Sequence, residues 1–160
     1  MRKKSFVWVL CFLFLGHNLA ARDMQHIKVI DGDSIVLNGT EIRLEGIDAP
    51  EYKQICHDKN NQKYRCGIKA REFLVDFIKG KDVVCKKISL DRYKRQVSFC
   101  YANGEDINKA MIKSGWAVAY DHYDDKYIKD EEIARKQKRG IWQGRFMRPE
   151  IWRALNRWQK

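Results

Sequence analysis

The chain has 160 residues, of which 44% are hydrophobic and 33% are charged. This composition excludes a disordered tail, which would bury too little apolar surface to fold, and the length fits one compact domain. The formal net charge of +11 at pH 7 favours a polyanionic partner such as nucleic acid, although charge alone also fits an anionic membrane surface or a merely soluble basic protein.

Residues 1–21 have the layout of a secretory signal peptide. Three cations at positions 2–4 precede an apolar run from Phe6 to Leu15, and the small residues Ala20 and Ala21 follow. The run is shorter than the roughly 20 residues that a membrane-spanning helix needs, so we predict cleavage rather than a retained anchor. The mature domain over 22–160 would be secreted or periplasmic, and loss of the three leader cations would lower its formal charge from +11 to +8.

The first predicted element of the mature chain is a β-hairpin. Two short apolar runs, Ile35–Leu37 and Ile42–Leu44, flank Asn38-Gly39, the dipeptide that best tolerates the positive φ angles of a type I′ turn. Side-chain alternation places Asp31 and Asp33 on one side of the strand that leads into this turn.

A polar segment and then a helix follow the hairpin. The segment from Glu51 to Arg65 lacks hydrophobic periodicity, so we predict a loop. The helix is predicted from Ile68, and Gly80 stands where a helix commonly ends. Its apolar positions at helical spacing are Ala70, Phe73, Leu74, Phe77 and Ile78.

Two further strands are predicted next, Val83–Leu90 and Val97–Tyr101, with the charged turn Asp91–Gln96 between them. Short apolar runs on both sides of a compact polar turn are typical of a hairpin. In such a hairpin Cys85 and Cys100 could face each other across the two strands.

Three helices are predicted in the last third of the chain. Asp106 can cap a short helix that ends at Gly115, and a charged helix over Tyr127–Lys138 ends at Gly140. Pro149 stands at a plausible first position of the last helix. The apolar face that we expect to pack onto the domain consists of Ile151, Trp152, Leu155 and Trp158.

Four cysteines remain after loss of the leader, an even number in an export context where disulfides persist. Pairing Cys56 with Cys66 would close the polar loop, and pairing Cys85 with Cys100 would join two strands. Four cysteines permit three pairings. A zinc site on Cys56, His57 and Cys66 is the less favoured alternative in an exported protein.

The order of elements predicts an α+β fold. Strands come early and helices are scattered after them, which favours a small antiparallel barrel over alternating βαβ units.

The residue types of the first hairpin and of the charged turn suit hydrolysis of a phosphodiester. That reaction needs a hard cation, a base for water, and positive groups that bind the phosphoryl oxygens. Asp33 and Asp48 are oxygen ligands of the kind that calcium or magnesium takes. Glu51, held off the metal by the stiff proline before it, could serve as the base. Arg43 and Arg95 provide planar forks, each matching two phosphoryl oxygens.

Each of these motifs also has an ordinary structural interpretation. Asp31-Gly32-Asp33 is a common turn sequence, and the segment from Asp48 to Glu51 can be a simple turn. The charged segment Arg92–Arg95 can be a solvated hairpin tip, as most charge runs are. It is the combination of these motifs that favours a catalytic site.

Four segments together resemble the staphylococcal nuclease (thermonuclease-like) family. They are IDGDS at Ile30–Ser34, IRLEGIDAPE at Ile42–Glu51, DRYKR at Asp91–Arg95, and the later INKAMIKSGWAVAY and RGIW stretches. The resemblance implies a five-stranded antiparallel OB-fold barrel with about three packed helices and a C-terminal helix. It also implies a calcium-dependent endonuclease that hydrolyses DNA and RNA with little base specificity and leaves 3′-phosphates.

The same resemblance assigns roles to individual residues. The metal ligands would be Asp33, Asp48 and the main-chain carbonyl of Ala49, and the general base would be Glu51. The arginines that bind the transition state would be Arg43 and Arg95, and the nucleotide-binding residues would be Arg92, Tyr93 and Tyr120. The sequence departs from the family pattern at Ala49, where threonine is found, and at Lys94, where glycine is usual and a positive φ is expected.

The alternative function is a non-catalytic OB-fold module that binds nucleic acid, and an envelope-associated structural protein ranks after it. The acidic residues favour the enzyme, because without a cation Asp33, Asp48 and Glu51 would repel a phosphate. We expect a monomer with DNA and RNA as substrates, without a stable protein partner or a membrane anchor.

Overall fold

The structure is a computed structural model that describes residues 25–120 and 126–156. The predicted leader over residues 1–21 and the predicted core residue Trp158 lie outside these ranges. Within them, no helix combines the length and the apolar character that crossing a membrane would require.

The described chain combines short strands with four α-helices, as predicted for an α+β fold. The strands are β1 (Ile27–Val29), β2 (Ser34–Leu37), β3 (Thr40–Leu44), β4 (Ile47–Asp48), β5 (Cys56–His57), β6 (Lys63–Tyr64), β7 (Val83–Leu90), β8 (Gln96–Ala102), β9 (Glu105–Asp106) and β10 (Val118–Ala119). The helices are α1 (Cys66–Ile78), α2 (Ile107–Lys113), α3 (Ile128–Lys136) and α4 (Pro149–Leu155), with a 3₁₀ turn at Gly140–Gln143.

The hairpin β2–β3 forms as predicted. Asn38 and Gly39 adopt φ angles of +48° and +83°, which a type I′ turn requires at both central positions. This turn sets the register in which Ile35 lies opposite Ile42, and both side chains are buried. The hairpin therefore fixes which side chains of these strands enter the core.

The prediction of a purely antiparallel sheet is wrong at one pair of strands, because β3 and β8 run parallel. Between them the chain passes through α1 and β7, so β8 returns beside β3 in the same direction. Alternation of side chains is the same in parallel and antiparallel strands, so the sequence pattern cannot report the direction.

The main sheet has the strand order β1-β2-β3-β8-β7, with β9 paired to β8. No strand pair of the described ranges joins β1 to β7, so closure into a barrel stays a prediction. A side chain does connect the two edges. The Gln25 amide donates to the Val83 carbonyl and accepts from the Val83 N–H, both at 2.8 Å.

The predicted loop over Glu51–Arg65 contains a small hairpin, β5–β6, which the prediction missed. Each strand has two residues, too few to show a hydrophobic period. Both predicted disulfides are present in the structure. Cys56 is joined to Cys66 at the first residue of α1, and Cys85 is joined to Cys100 across β7–β8.

The hydrophobic core lies where α1 and α2 pack on the sheet. Its most buried large side chains include Ile35, Leu44, Leu74, Met111 and Ile112. Helix α2 begins as predicted, since the Asp106 carboxylate accepts a hydrogen bond from the Lys109 N–H. These contacts make one continuous core beneath the first hairpin.

Helix α4 is attached differently from the predicted apolar packing. Ile151 and Leu155 are 47% and 63% exposed, so the prediction that they pack onto the domain is wrong for these two residues. Only Pro149 of this helix is buried. Polar contacts hold the segment instead, because Gln54 donates to the Met147 carbonyl at 2.7 Å.

We predict that replacing Cys85 and Cys100 with alanine lowers the free energy of unfolding by about 2 to 4 kcal/mol, because the disulfide restrains the unfolded chain over a sequence separation of 15. Urea unfolding of the mature domain measures this. Reducing agent should destabilise the wild type by a larger amount than the variant, which keeps only Cys56–Cys66. An equal effect on both proteins would contradict the prediction.

Candidate active site

A cleft of about 1010 Å³ opens between the first hairpin, the tip of the β7–β8 hairpin and α4. Most of the site residues predicted from the sequence line this cleft. They are Asp33, Arg43, Glu51, Arg92, Tyr93, Arg95 and Tyr120. Two further predicted residues, Asp48 and Ala49, follow the lining residue Ile47 in the sequence. Both are buried, at 1% and 3% exposure.

Asp33 lies just before β2 and is almost completely buried. Its carboxylate forms an ion pair with the Arg43 guanidinium and accepts hydrogen bonds from the Ala49 N–H at 2.7 Å and the Ser34 hydroxyl at 3.1 Å. Burial raises the pKa of Asp33, but the Arg43 charge and these hydrogen bonds outweigh it, so the pKa lies below its usual value. Asp33 is therefore held as a carboxylate.

The backbone beside Asp33 is fixed by a close approach at Gly32. A Cβ atom at this position would lie 2.6 Å from the Ala49 Cβ and 2.9 Å from the Ala70 Cβ of α1. Only glycine lets this segment pack so closely between the Ala49 turn and α1. Asp31-Gly32-Asp33 is thus a turn, as its ordinary interpretation holds, and it also positions a site carboxylate.

Arg43 on β3 connects two strands through its side chain. Its Nη2 donates to the Asp48 carboxylate at 3.1 Å and to the Ile47 carbonyl at 3.2 Å, while Nη1 pairs with Asp33. Burial lowers the pKa of Arg43, but the charges of Asp33 and Asp48 raise it further than burial lowers it. Arg43 therefore stays charged and holds the two aspartates on one guanidinium.

Asp48 on β4 also forms an ion pair with a second arginine, which the sequence analysis missed. Arg153 of α4 donates to the two Asp48 carboxylate oxygens at 2.8 and 3.0 Å, and its Nη1 also donates to Glu51 at 2.9 Å. Burial is the largest influence on Asp48 and raises its pKa, and Arg153 acts against it. Among 32 Lys and Arg residues, no local sequence feature distinguishes Arg153.

Glu51 lies at the cleft wall, with its side chain 30% exposed. Its backbone forms a tight turn with Gln54, whose N–H donates to the Glu51 carbonyl at 2.7 Å. Gly67 of α1 packs against the same carbonyl, since a Cβ there would lie 1.9 Å from the Glu51 oxygen. The turn is thus fixed by α1, and the side chain remains accessible from the cleft.

Asp31 is a further carboxylate of this site, and its pKa is raised to about 7. The causes are burial first and then repulsion from Asp33, with a smaller contribution from Glu51. When ionised, Asp31, Asp33, Asp48 and Glu51 carry four negative charges. Arg43 and Arg153 supply two positive charges, so the excess within this cluster is two when Asp31 is ionised and one when Asp31 is protonated.

This charge excess and the oxygen donors fit a hard divalent cation. In the described part of the chain, no three acidic, histidine or cysteine side chains are grouped as metal ligands. The Asp33 and Asp48 oxygens face arginines instead, as shown by the hydrogen bonds above. In the assignment predicted from the sequence, Asp33, Asp48 and the Ala49 carbonyl would hold the cation, and in this structure the Ala49 N–H donates to Asp33.

The tip of the β7–β8 hairpin is organised around Asp91 rather than merely solvated. Its carboxylate accepts hydrogen bonds from the Tyr93 and Arg95 N–H groups at 2.9 Å and pairs with the Arg95 Nε at 2.8 Å. Burial is the largest single influence and raises the pKa of Asp91, but the contacts with Arg95 and Tyr93 together outweigh it and lower the pKa. Arg95 also reaches Ser34 at 3.4 Å, which ties the tip to β2.

The remaining predicted residues lie on the same tip and directly after β10. The Tyr93 ring is 65% exposed, and the Arg92 and Arg95 guanidinium carbons lie 4.8 and 5.7 Å from its centroid. Tyr120 lines the cleft after β10, where its N–H donates to the Gly46 carbonyl at 3.0 Å. These aromatic and basic groups all line one cleft, where they can contact a bound nucleotide.

A family profile described as "Staphylococcal nuclease homologue" matches residues 41–144. This range includes Arg43, Asp48, Glu51 and Arg95, whereas Asp33 precedes it and Arg153 follows it. The matched region therefore covers most of the cleft but not the helix that carries Arg153.

Individual proteins are similar over most of the chain. "Succinoglycan biosynthesis protein ExoI" of Rhizobium meliloti is 36% identical over 140 residues, which cover 84% of this chain and 73% of that protein. An "Uncharacterized endonuclease" of Haemophilus influenzae is 30% identical over 135 residues, with coverage of 79% and 70%. "Probable staphylococcal-like nuclease CAN2" of Oryza sativa subsp. japonica is 32% identical over 144 residues, which cover 87% of this chain but 36% of that protein.

The unusual Lys94 leads to a stability prediction. Lys94 adopts a φ of +66°, in the left-handed region that disfavours residues with a Cβ atom. We expect Lys94→Gly to raise the free energy of unfolding by up to about 1 kcal/mol, measured by urea unfolding. Lys87→Gly on β7 is the control and should destabilise, since strand residues gain nothing from glycine. Destabilisation by Lys94→Gly would show that another contact of this lysine outweighs the backbone strain.

Proposed function

The chain belongs to the staphylococcal nuclease family and is a nuclease, and from this premise we propose that it is a calcium-dependent endonuclease. It hydrolyses phosphodiester bonds of DNA and RNA with little base specificity and leaves 3′-phosphates. The observation that carries the proposal is one cleft in which Glu51, Arg95 and the Asp33–Arg43–Asp48 cluster lie together. A protein that only binds polyanions gains nothing from carboxylates at this position.

Asp33, Asp48 and the Ala49 carbonyl would hold the cation. Bound there, the cation would act as a Lewis acid that polarises a phosphoryl oxygen. Both aspartates are buried against the core, which restricts the positions of their side chains. Their oxygens face Arg43 and Arg153 in this structure, so binding of the cation would replace some of these arginine contacts.

Glu51 acts as the general base. Its exposed carboxylate takes a proton from the attacking water, whose oxygen forms the new bond to phosphorus. The bond between phosphorus and the 5′ oxygen breaks, and the 5′ oxygen takes a proton from solvent. The products are a 3′-phosphate and a 5′-hydroxyl, and Glu51 returns its proton to solvent. Arg95 and Arg43 donate hydrogen bonds to the phosphoryl oxygens as negative charge increases on them.

Arg92, Tyr93 and Tyr120 bind the nucleotide beside the scissile bond. The cationic groups of the cleft contact phosphate rather than base edges, so the cleavage rate depends little on base sequence. Affinity for the substrate, and with it cleavage, decreases as the salt concentration rises. We also propose that the leader over residues 1–21 directs export, that the mature protein is monomeric without a stable partner, and that its sheet closes as an OB-fold barrel. The Gln25–Val83 hydrogen bonds support this last point.

Replacing the general base should separate binding from turnover. We expect Glu51→Gln to lower kcat by about 100-fold or more, because the amide cannot accept the water proton, while affinity for a labelled oligonucleotide changes less than about threefold. Single-turnover cleavage and fluorescence anisotropy measure the two quantities, and Arg95→Ala should impair both.

Glu72→Gln is the matched control, because Glu72 lies on the exposed face of α1 and pairs only with Lys69 among the described residues. It should leave both kcat and affinity unchanged. Full activity of Glu51→Gln would mean that another group activates the water.

The metal requirement forms a separate prediction. A chelator should abolish cleavage of plasmid DNA and RNA, and calcium should restore it better than magnesium, since calcium tolerates changes in coordination geometry and magnesium holds its waters tightly. Half-activation is expected at roughly 10⁻⁴ to 10⁻³ M calcium, as in extracellular sites. Mass spectrometry of the products should detect 3′-phosphates.

The outcomes of this experiment separate the parts of the proposal. Equal activity with magnesium would remove the calcium assignment but keep the nuclease. Oxidised, metal-replete protein that binds DNA yet cuts neither DNA nor RNA would establish the non-catalytic binding module instead.

A further inference from the structure

Arg153, which the sequence analysis does not assign to the site, contacts two of its predicted residues. Its guanidinium forms a fork with both oxygens of Asp48, and Nη1 is shared with Glu51. One nitrogen thus lies 2.8 Å from an oxygen of the proposed metal ligand and 2.9 Å from an oxygen of the proposed base. Two carboxylates this close repel each other unless a cation lies between them.

The two carboxylates differ in how firmly they are held. Asp48 is buried on β4 and also contacts Arg43, so its position does not depend on Arg153 alone. Within the described ranges, the only side chain that donates to the Glu51 carboxylate is that of Arg153. Loss of Arg153 would therefore release Glu51 more than Asp48.

The attachment of α4 is consistent with a role in the site rather than in the core. The apolar residues Ile151 and Leu155 are exposed, so the helix buries little apolar surface. Its position depends on polar contacts that precede its first turn. Gln54 donates a hydrogen bond to the Met147 carbonyl, and Arg148 donates to the Ala119 carbonyl at 3.3 Å. These contacts orient the helix so that Arg153 reaches the cleft wall.

We propose that Arg153 is a positioning residue that holds the Glu51 carboxylate beside Asp48, and that α4 is thereby part of the active site. This inference rests on the proposed function, in which Glu51 is the base. Arg153 acts through Glu51 and not on the phosphate, so it affects kcat more than KM. It also places a positive charge on Asp48, which opposes binding of a cation there.

The test compares Arg153→Gln, Arg153→Lys and the matched control Arg139→Gln in the mature, oxidised protein. Arg139 is exposed and donates to the Lys113 carbonyl, and neither Arg139 nor Lys113 lines the cleft. We expect Arg153→Gln to lower kcat by about tenfold to hundredfold, which is the rate factor that corresponds to the free energy of a lost charge-assisted hydrogen bond. KM should change less than about threefold. Arg153→Lys should recover part of kcat, and Arg139→Gln should match the wild type.

A double-mutant cycle with Glu51→Gln identifies the residue through which Arg153 acts. In the Glu51→Gln background, Arg153→Gln should lower the remaining rate by less than about threefold, because the group that it positions is already gone. An equally large loss in both backgrounds would overturn the proposal and make Arg153 a direct phosphate contact. A kcat within about twofold of the wild type would overturn it as well.

Calcium affinity of the nucleic-acid-free protein, measured by titration calorimetry, provides a readout that does not depend on hydrolysis. Arg153→Gln should tighten calcium binding several-fold, because a positive charge leaves Asp48. The far-ultraviolet circular dichroism and the urea midpoint of the variant should match those of the wild type, which separates loss of the guanidinium from unfolding of the domain. Unchanged or weaker binding would overturn the proposal. If the wild type cleaves no nucleic acid but this affinity shift occurs, the proposed function fails while the contact of Arg153 with Asp48 stands.

Discussion

The buried cluster of Asp33, Arg43 and Asp48 is the interaction on which the site depends. Removing one member of such a cluster would leave an uncompensated charge in the interior, which typically costs about 3 to 5 kcal/mol. Because its members come from the start of β2, from β3 and from β4, the cluster also fixes these three segments relative to one another. The requirement to keep buried charges paired thus gives the site its rigidity.

The same cluster explains why a cation suits the cleft. Arg43 balances part of the carboxylate charge. The negative charge of Asp33 still acts on Asp31, whose pKa is raised by burial and by Asp33. A fold that needed only stability would gain more from apolar side chains at these positions. A group of buried and partly buried carboxylates beside the tip that carries Arg95 is instead typical of a functional site.

Two connections bring distant parts of the chain to this cluster. The parallel pairing of β3 with β8 brings the Asp91–Arg95 tip to the first hairpin, and Arg95 contacts Ser34 across it. The polar attachment of α4 brings Arg153 to Asp48 from the other end of the chain. The strand pairing is part of the hydrophobic core, whereas α4 leaves Ile151 and Leu155 exposed, so hydrogen bonds and charge pairs determine the cleft wall on the α4 side.

The sequence by itself determined features that arise from neighbouring residues. Asn38-Gly39 specifies its turn through local φ preferences, apolar spacing specifies the helices, and the residue types at Asp33, Glu51 and Arg95 indicate phosphodiester chemistry. Only the tertiary structure decided the direction of β8, the exposure of α4 and the role of Arg153, which lies 105 residues from Asp48. The physical reason is that a local sequence pattern reports the hydrophobic period of a segment and its propensity for helix, strand or turn. Strand direction, burial and the partner of a charge depend on which distant segments meet.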